Sequence, residues 1–187
     1  MPHRLTVALS ALACALAIAL GARAQEPPPA YRALLALQLG YLHHERRDYE
    51  RAVAYFRESI AVRPSAEAHT YLGWSLSHLE RYEEAIAECR TAIGLDPDFG
   101  NPYNDIGVYL IALGRRGEAV PWLEKAIAAR RYCCYHFPYT NLGRLHLEDG
   151  RIAEARRAFE RALELEPDYP PAREGLELIR ARGLRDM

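Results

Sequence analysis

Leu37 to Pro64 reads LQLGYLHHERRDYERAVAYFRESIAVRP, and Asn141 to Pro167 reads NLGRLHLEDGRIAEARRAFERALELEP. Both stretches place a Gly after a Leu, at Gly40 and Gly143. Twelve residues later comes Ala52 or Ala155, and four further on Phe56 or Phe159. Three beyond that is a small residue, Ser59 or Ala162, and five later stands Pro64 or Pro167. The same skeleton occurs twice between them. One copy has Gly73, Ala85, Cys89, Ala92 and Pro97; the other has Gly107, Ala119, Leu123, Ala126 and Arg131. Internal spacing is identical in all four, while the glycines step by 33, 34 and 36 residues. A period of this length with helical patterning reads as stacked helix-turn-helix units.

Each copy predicts two helices. Leu35, Leu39 and Leu42 form one apolar stripe in the first copy, and Leu72, Leu76 and Leu79 another in the second. Asp48 is placed to cap the second helix of its unit, and Pro64 to end it. Asp96-Pro97-Asp98 supplies turn chemistry after the second copy. Pro121 falls about four residues into its helix, where first-turn N–H groups lack partners anyway. The small residues let paired helices approach: Gly40 and Ala52 nest within a unit, and Phe56 fills the space toward the next. The fold expected is all-α, a right-handed superhelical solenoid of about four repeats. Their limits are about 33–65, 66–99, 100–135 and 136–169. A capping helix at about 171–182, with Leu176 and Ile179 on its inner face, closes the array.

This skeleton resembles the tetratricopeptide repeat family over roughly residues 31 to 169. The resemblance implies that first helices line a concave groove that holds a protein or peptide partner, with no shared catalytic residue. Residues at groove-facing positions are Leu37, Tyr41, His44, Tyr71, Trp74 and His78 in the first half, and Asn104, Asp105, Val108, Asn141 and Arg144 in the second. Tyr41, Tyr71 and Trp74 would form an aromatic wall and the later Asn, Asp and Arg residues a polar half. Tyr, Trp and Arg are the types that dominate binding hot spots. A peptide could set apolar side chains on the first half and hydrogen-bond its backbone to the second. Some family members grip a C-terminal carboxylate with Lys, Arg and Asn. Here Leu37 and Tyr41 stand where that clamp wants Lys and Asn, and Tyr71 replaces a clamp Asn. Chaperone-tail binding of that type is not expected.

Composition bounds the rest. The 187 residues make one domain's worth of chain after a leader, and the formal net charge of −1 makes no electrostatic case for nucleic acid. Residues 1–24 read as a signal peptide: Arg4 in a basic start, an uncharged Ala/Leu-rich run from Leu5 to Leu20, then Gly21-Ala22-Arg23-Ala24 before Gln25. The expectation is an exported, periplasmic protein whose only membrane contact would be an uncleaved leader. A retained anchor and a lipoprotein acylated at Cys14 are the alternatives. Residues 25–30, with Pro27-Pro28-Pro29, form a stiff lead-in to a repeat domain over 31–187.

Cleavage leaves Cys89, Cys133 and Cys134, an odd count that implies at least one thiol unpaired or intermolecular. Cys89 stands at a core position and reads as a small buried hydrophobe. The other two lie in the junction Arg130-Arg131-Tyr132-Cys133-Cys134-Tyr135-His136-Phe137-Pro138, where the usual Pro is missing and two residues are inserted. Three readings compete for it. It is a lengthened turn whose aromatics pack between the third and fourth repeats; a redox element, with an external disulfide partner easier than a strained ring between neighbours; or a metal site of Cys133, Cys134 and His136, with His146. Repeated ligand spacing is lacking, so no metal or cofactor is expected. Nucleophile-elbow, phosphate-loop, zincin and dinucleotide signatures are all missing, so an enzyme is not expected. The role that follows is an interaction scaffold in the bacterial periplasm that binds an extended peptide or helix. The alternatives are an outer-membrane-associated assembly factor, of the pilus or cytochrome biogenesis type, and a thiol-redox or metal-dependent protein using Cys133 and Cys134.

Overall fold

The computed structural model describes residues 26–181. The leader at 1–24 lies outside the described residues, as do Arg182 and the residues after it. Helices α1 (Pro29–Glu45) and α2 (Tyr49–Val62) form the first unit, and α3 (Ala66–His78) and α4 (Tyr82–Leu95) the second. Helices α5 (Asn101–Ala112) and α6 (Arg116–Ala128) form the third, and α7 (His136–Glu148) and α8 (Ile152–Leu165) the fourth. Helix α9 (Pro170–Ala181) closes the array. The chain is thus an all-α repeat solenoid. Among the described residues no helix is long and apolar enough to cross a membrane.

Packing sets the curvature. The two helices of a unit pack most closely on each other, and each second helix packs on the first helix of the next unit. Consecutive first helices also touch: α1 with α3, α3 with α5, α5 with α7, and α7 with α9. Consecutive second helices do not. The first helices therefore stand on the inside of the curve and the second helices on the outside.

The repeat skeleton is the contact skeleton. A Cβ built on Gly40 would lie 2.6 Å from the Phe56 ring, and one on Gly143 would lie 2.6 Å from Phe159. Phe56 thus fills the space beside the glycine of its own unit, not only the space toward the next, where it stacks on Tyr71 at 5.8 Å between centroids. The alanines Ala52, Ala85, Ala119 and Ala155 are fully buried. Each hairpin turn uses one left-handed residue in the same register: Arg47, Glu80, Gly114 and Gly150. The last two are glycines, which adopt that conformation without a Cβ penalty.

Several local expectations give way. The leucine stripe of α1 is not its buried face: Leu35 is 43% and Leu42 42% exposed, and Ala33, Ala36 and Gly40 are buried instead. Leu35 and Leu42 stand in register with Ala68 and Ser75 of the second unit, both fully buried against the unit before. The first unit has no predecessor among the described residues, so the same face lies open. Asp48 sits at the N-cap of α2, but its side chain does not cap. Its carboxylate turns to His43 Nδ1 at 3.2 Å and Arg51 at 3.3 Å. Pro121 is deeper in its helix than the first turn, because α6 begins at Arg116. The carbonyl left without its helical partner belongs to Gly117, which is exposed to water. Helix α9 does cap the array, through buried Ala172, Leu176 and Ile179.

The missing proline at Arg131 has a direct cause. Arg131 N–H donates to the Asp98 carbonyl at 2.9 Å, and Gly100 N–H donates to the Arg131 carbonyl at 3.0 Å. Phe99 and Arg131 thus form an isolated parallel bridge. A proline has no N–H to make the first bond. The Arg131 guanidinium lies 4.1 Å from the Phe99 ring centroid and pairs with Asp96 and with Glu67, the latter at 3.1 Å. The lengthened turn therefore folds back across the turn before α5. Its aromatics reach farther than the boundary between third and fourth units: Tyr132 packs on Gly100, where no Cβ would fit, and Tyr135 Oη donates to the Ala129 carbonyl at 2.7 Å.

Candidate functional site

The inner face carries two continuous arrays. The first is aromatic. Tyr41 on α1 lies 5.8 Å from Tyr71 on α3, and Tyr71 lies 5.8 Å from Trp74 one turn on. Trp74 stacks on His44 at 5.6 Å, and His44 Nδ1 is 2.9 Å from Ser75 Oγ. His78 stacks on Tyr49 at 4.4 Å and meets His44 edge-on at 5.2 Å. Burial, and then the neighbouring His78, lower the His44 pKa below the usual imidazole value. Tyr41 and Trp74 recur because α1 and α3 present the same register to the inside, 33 residues apart. Tyr41 and Trp74 remain 45% and 37% exposed, so the wall faces solvent.

The second array is polar and mostly buried. Asn141 Nδ2 on α7 donates to Asn104 Oδ1 on α5 at 3.3 Å. Asn104 Nδ2 in turn donates to Asp105 Oδ1 at 3.4 Å. The other Asp105 oxygen, Oδ2, is buried and has no partner. Asp105 is only 7% exposed. Burial pushes its carboxyl from the ordinary 3.8 up to about 7, against the opposing pull of Asn104 and the Trp74 indole. A desolvated carboxyl that keeps one oxygen unsatisfied is costly, and such groups cluster at functional sites.

The two arrays meet in one cleft of about 380 Å³. Trp74 and His78 enter it from α3, Asn104, Asp105, Val108 and Tyr109 from α5, Asn141 from α7, and Tyr132 and Phe137 from the junction and the start of α7. Of the residues that the family resemblance places at the groove, Trp74, His78, Asn104, Asp105, Val108 and Asn141 come together here. Tyr41, Tyr71 and His44 continue the wall toward the first unit. Leu37 instead lines a separate hollow with Ala30, Leu34 and Arg63. Arg144 lies away from the polar chain, beside Leu147, Glu148 and Leu178.

Sequence reasoning did not place Tyr109, Tyr132 and Phe137 in this site. The signal for Tyr132 was the two-residue insertion together with Gly100, whose bare backbone leaves room for that ring. Tyr132 and Tyr109 both have their phenol pKa values pushed upward, chiefly by burial and next by the charge of Asp105.

The junction cysteines are bonded to each other, Cys133 to Cys134, in place of an external partner. Cys89 is the free, buried cysteine of the core, and burial raises its thiol pKa well above normal. Among the described residues no three His, Cys, Asp or Glu side chains are grouped to hold a metal ion. His136 packs between Phe137 and Tyr169, at 4.2 and 4.6 Å between centroids. His146 stands apart, its Nδ1 buried without a partner.

Residues 37–98, 103–131 and 136–169 match three family profiles, each described as tetratricopeptide repeat. The chain is 34% identical over 93 residues to a peroxisomal targeting signal receptor of Eremothecium gossypii, which covers 49% of this chain and 16% of that protein. It is 30% identical over 139 residues to the type IV pilus assembly protein PilF of Pseudomonas aeruginosa, covering 74% of this chain and 54% of that one. A solved structure of Pseudomonas aeruginosa PilF superposes with a TM-score of 0.71 at 24% identity, over 84% of this chain and 79% of that chain. The chain spans between 14% and 54% of the length of the curated relatives it matches.

Proposed function

The chain belongs to the tetratricopeptide repeat family, and from that premise we propose that it is an exported interaction scaffold whose inner groove binds an extended peptide or helix of a partner protein. One observation carries the reading. The first helices stand on the inside of the curve and leave Tyr41 and Trp74, large amphipathic rings, open to solvent. Rings of this kind bury large area at low entropic cost when a partner covers them. Beside them the Asn141–Asn104–Asp105 chain offers amide and carboxyl groups to a peptide backbone.

Random peptides displayed on phage and selected on residues 25–187 supply the test ligands. The double variant Tyr71→Ala/Trp74→Ala is expected to bind the selected peptides at least about tenfold more weakly, the loss of roughly one hot-spot contact. Its helical circular dichroism is expected to match the parent, since Trp74 is partly exposed and neither ring is a skeleton residue. Unchanged peptide affinity in that variant sinks the groove reading.

Export rests on the leader pattern at 1–24, and N-terminal sequencing of the native protein tests it. A chain that begins at Gln25 supports cleavage and a periplasmic location. A retained Met1 points to an anchor, and a lipid-blocked Cys14 to a lipoprotein. A second reading, as a pilus assembly factor, is favoured by the 30% identity to PilF of Pseudomonas aeruginosa across 74% of this chain. Loss of pili on deletion of the gene, restored by the intact chain but not by the groove variant, would join the two readings.

A further inference from the structure

We propose that the cleft floored by Asp105 is a socket for one arginine side chain of the docked peptide; this deepens the groove reading and rests on it. Asp105 is the one carboxylate lining the cleft, and no Lys or Arg lines it. The half-buried acids Asp48, Glu67, Glu88 and Asp96 each have a basic or imidazole neighbour: Asp48 has His43 and Arg51, Glu67 and Asp96 share Arg131, and His69 Nδ1 lies 2.6 Å from Glu88. Asp105 has the Asn104 amide on one oxygen and the pull of the Trp74 indole, but no basic or imidazole partner, and its Oδ2 accepts no hydrogen bond. The chain keeps an uncompensated acid here although a neutral residue would cost less.

The walls fit the same guest. Trp74, Tyr132, Phe137 and Tyr109 surround the acid. Aromatic faces attract cations, Trp most strongly, and a planar guanidinium both stacks on rings and presents several donors in a fixed fork. The acceptors that such a fork needs are the amide oxygen of Asn141 in the cleft and Asp105 Oδ2, a buried oxygen that the guest reaches once the rings lining the cleft shift. A long, flexible side chain suits a cleft of about 380 Å³ lined by these rings.

Ionisation of Asp105 tunes the socket. The titratable groups that face it are Cys89 from α4, Tyr109 from its own helix and Tyr132 from the junction, with His78 of α3 at the cleft wall. The thiol and both phenols have raised pKa values and stay neutral near pH 7, so they add no competing charge. Guest affinity should follow the carboxylate: weak in acid and strong in mild alkali.

The probe is N-acetyl-arginine amide, titrated into 15N-labelled residues 25–187 and read by NMR at the two indole N–H signals. Trp74 reports the socket. Trp122, on the outer side beside Lys125 and Arg90, is the internal control. The Trp74 signal is expected to shift saturably at pH 8, with affinity roughly tenfold weaker at pH 6, as the ionised fraction of an acid near 7 falls. The neutral isostere N-acetyl-citrulline amide and the acidic N-acetyl-glutamate amide should bind at least tenfold more weakly. Asp105→Asn should abolish both the preference for arginine and the pH dependence. Equal binding of citrulline, or arginine binding unchanged in Asp105→Asn, overturns the proposal. If that variant does not fold, the pH series on the parent decides alone: affinity flat from pH 6 to 8 overturns it. Displayed peptides separate the two readings. Peptides that release from Tyr71→Ala/Trp74→Ala but show no arginine enrichment, and bind Asp105→Asn as tightly, would remove the socket and leave the groove.

Discussion

Phe159→Ala is expected to lower stability by about 3–5 kcal/mol, at the upper end of what truncating a buried aromatic costs. The spread in such costs reflects how well the surroundings collapse into the space left behind. Phe159 is 1% exposed and lies between two glycines. A Cβ on Gly143 would fall 2.6 Å from its ring on one side, and a Cβ on Gly175 would fall 2.5 Å from it on the other. Glycine has no side chain to swing into a cavity, so neither wall can fill it. Phe56 is the contrasting case: Gly40 backs one side, but Tyr71 stacks on it and can relax. Urea unfolding of both alanine variants checks the order, with Phe159→Ala expected to be the costlier. Hydrogen exchange should show the α9 amides opening first, because α9 docks chiefly through the Phe159 cluster with Leu176 and Ile179. A smaller loss for Phe159→Ala than for Phe56→Ala would contradict the two-glycine argument.

Asp105→Asn is expected to stabilise the chain increasingly as pH rises above about 4 and to do nothing below it. Folding raises the carboxyl from 3.8 to about 7, chiefly because burial disfavours its charge. The folded state therefore binds the proton more tightly than the unfolded chain. The contribution from this group is fully present below about pH 4 and is lost as pH climbs through about 7. The full penalty of ionising it in place is on the order of 4 kcal/mol, an upper bound because buried charges recruit water and local relaxation. Asparagine keeps an oxygen for the Asn104 amide but carries no charge. Urea midpoints of parent and variant should coincide near pH 4, then separate, with the variant ahead by about 2–4 kcal/mol at pH 8. A constant offset across that range, or a less stable variant at pH 8, would show that the buried acid does not bear this cost. Together with the arginine titration, the experiment separates the price of keeping Asp105 from the reason for keeping it.

Much of the fold was legible because the repeat is written in local terms. Gly40, Ala52, Phe56 and their counterparts recur at fixed intervals, and each marks a contact inside one hairpin or with the next. Such contacts span few residues, so one sequence period encodes them. The aromatic wall was legible for the same reason: Tyr41 and Trp74 stand at matching inner positions of adjacent first helices. Where the period breaks, legibility stopped. At Leu35 and Leu42 the residue types suggested burial, but burial depends on a preceding unit, and none stands before the first repeat among the described residues. At the junction the sequence showed an insertion and a missing proline without showing where the extra chain goes.

The sequence alone, then, determined the number of units, the pairing of helices and the Gly, Ala and Phe skeleton at which they cross, while the inner placement of Trp74 and Asn104 was expected only from the family resemblance. Tertiary structure alone decided that Arg131 bridges back to Phe99, that Cys133 bonds Cys134, and that Tyr132 walls a cleft over Asp105, whose Oδ2 has no hydrogen-bond partner. The division has a physical cause. Helix pairing is governed by short-range spacing along the chain. The burial and ionisation of one carboxyl depend on what several distant segments jointly exclude, water above all.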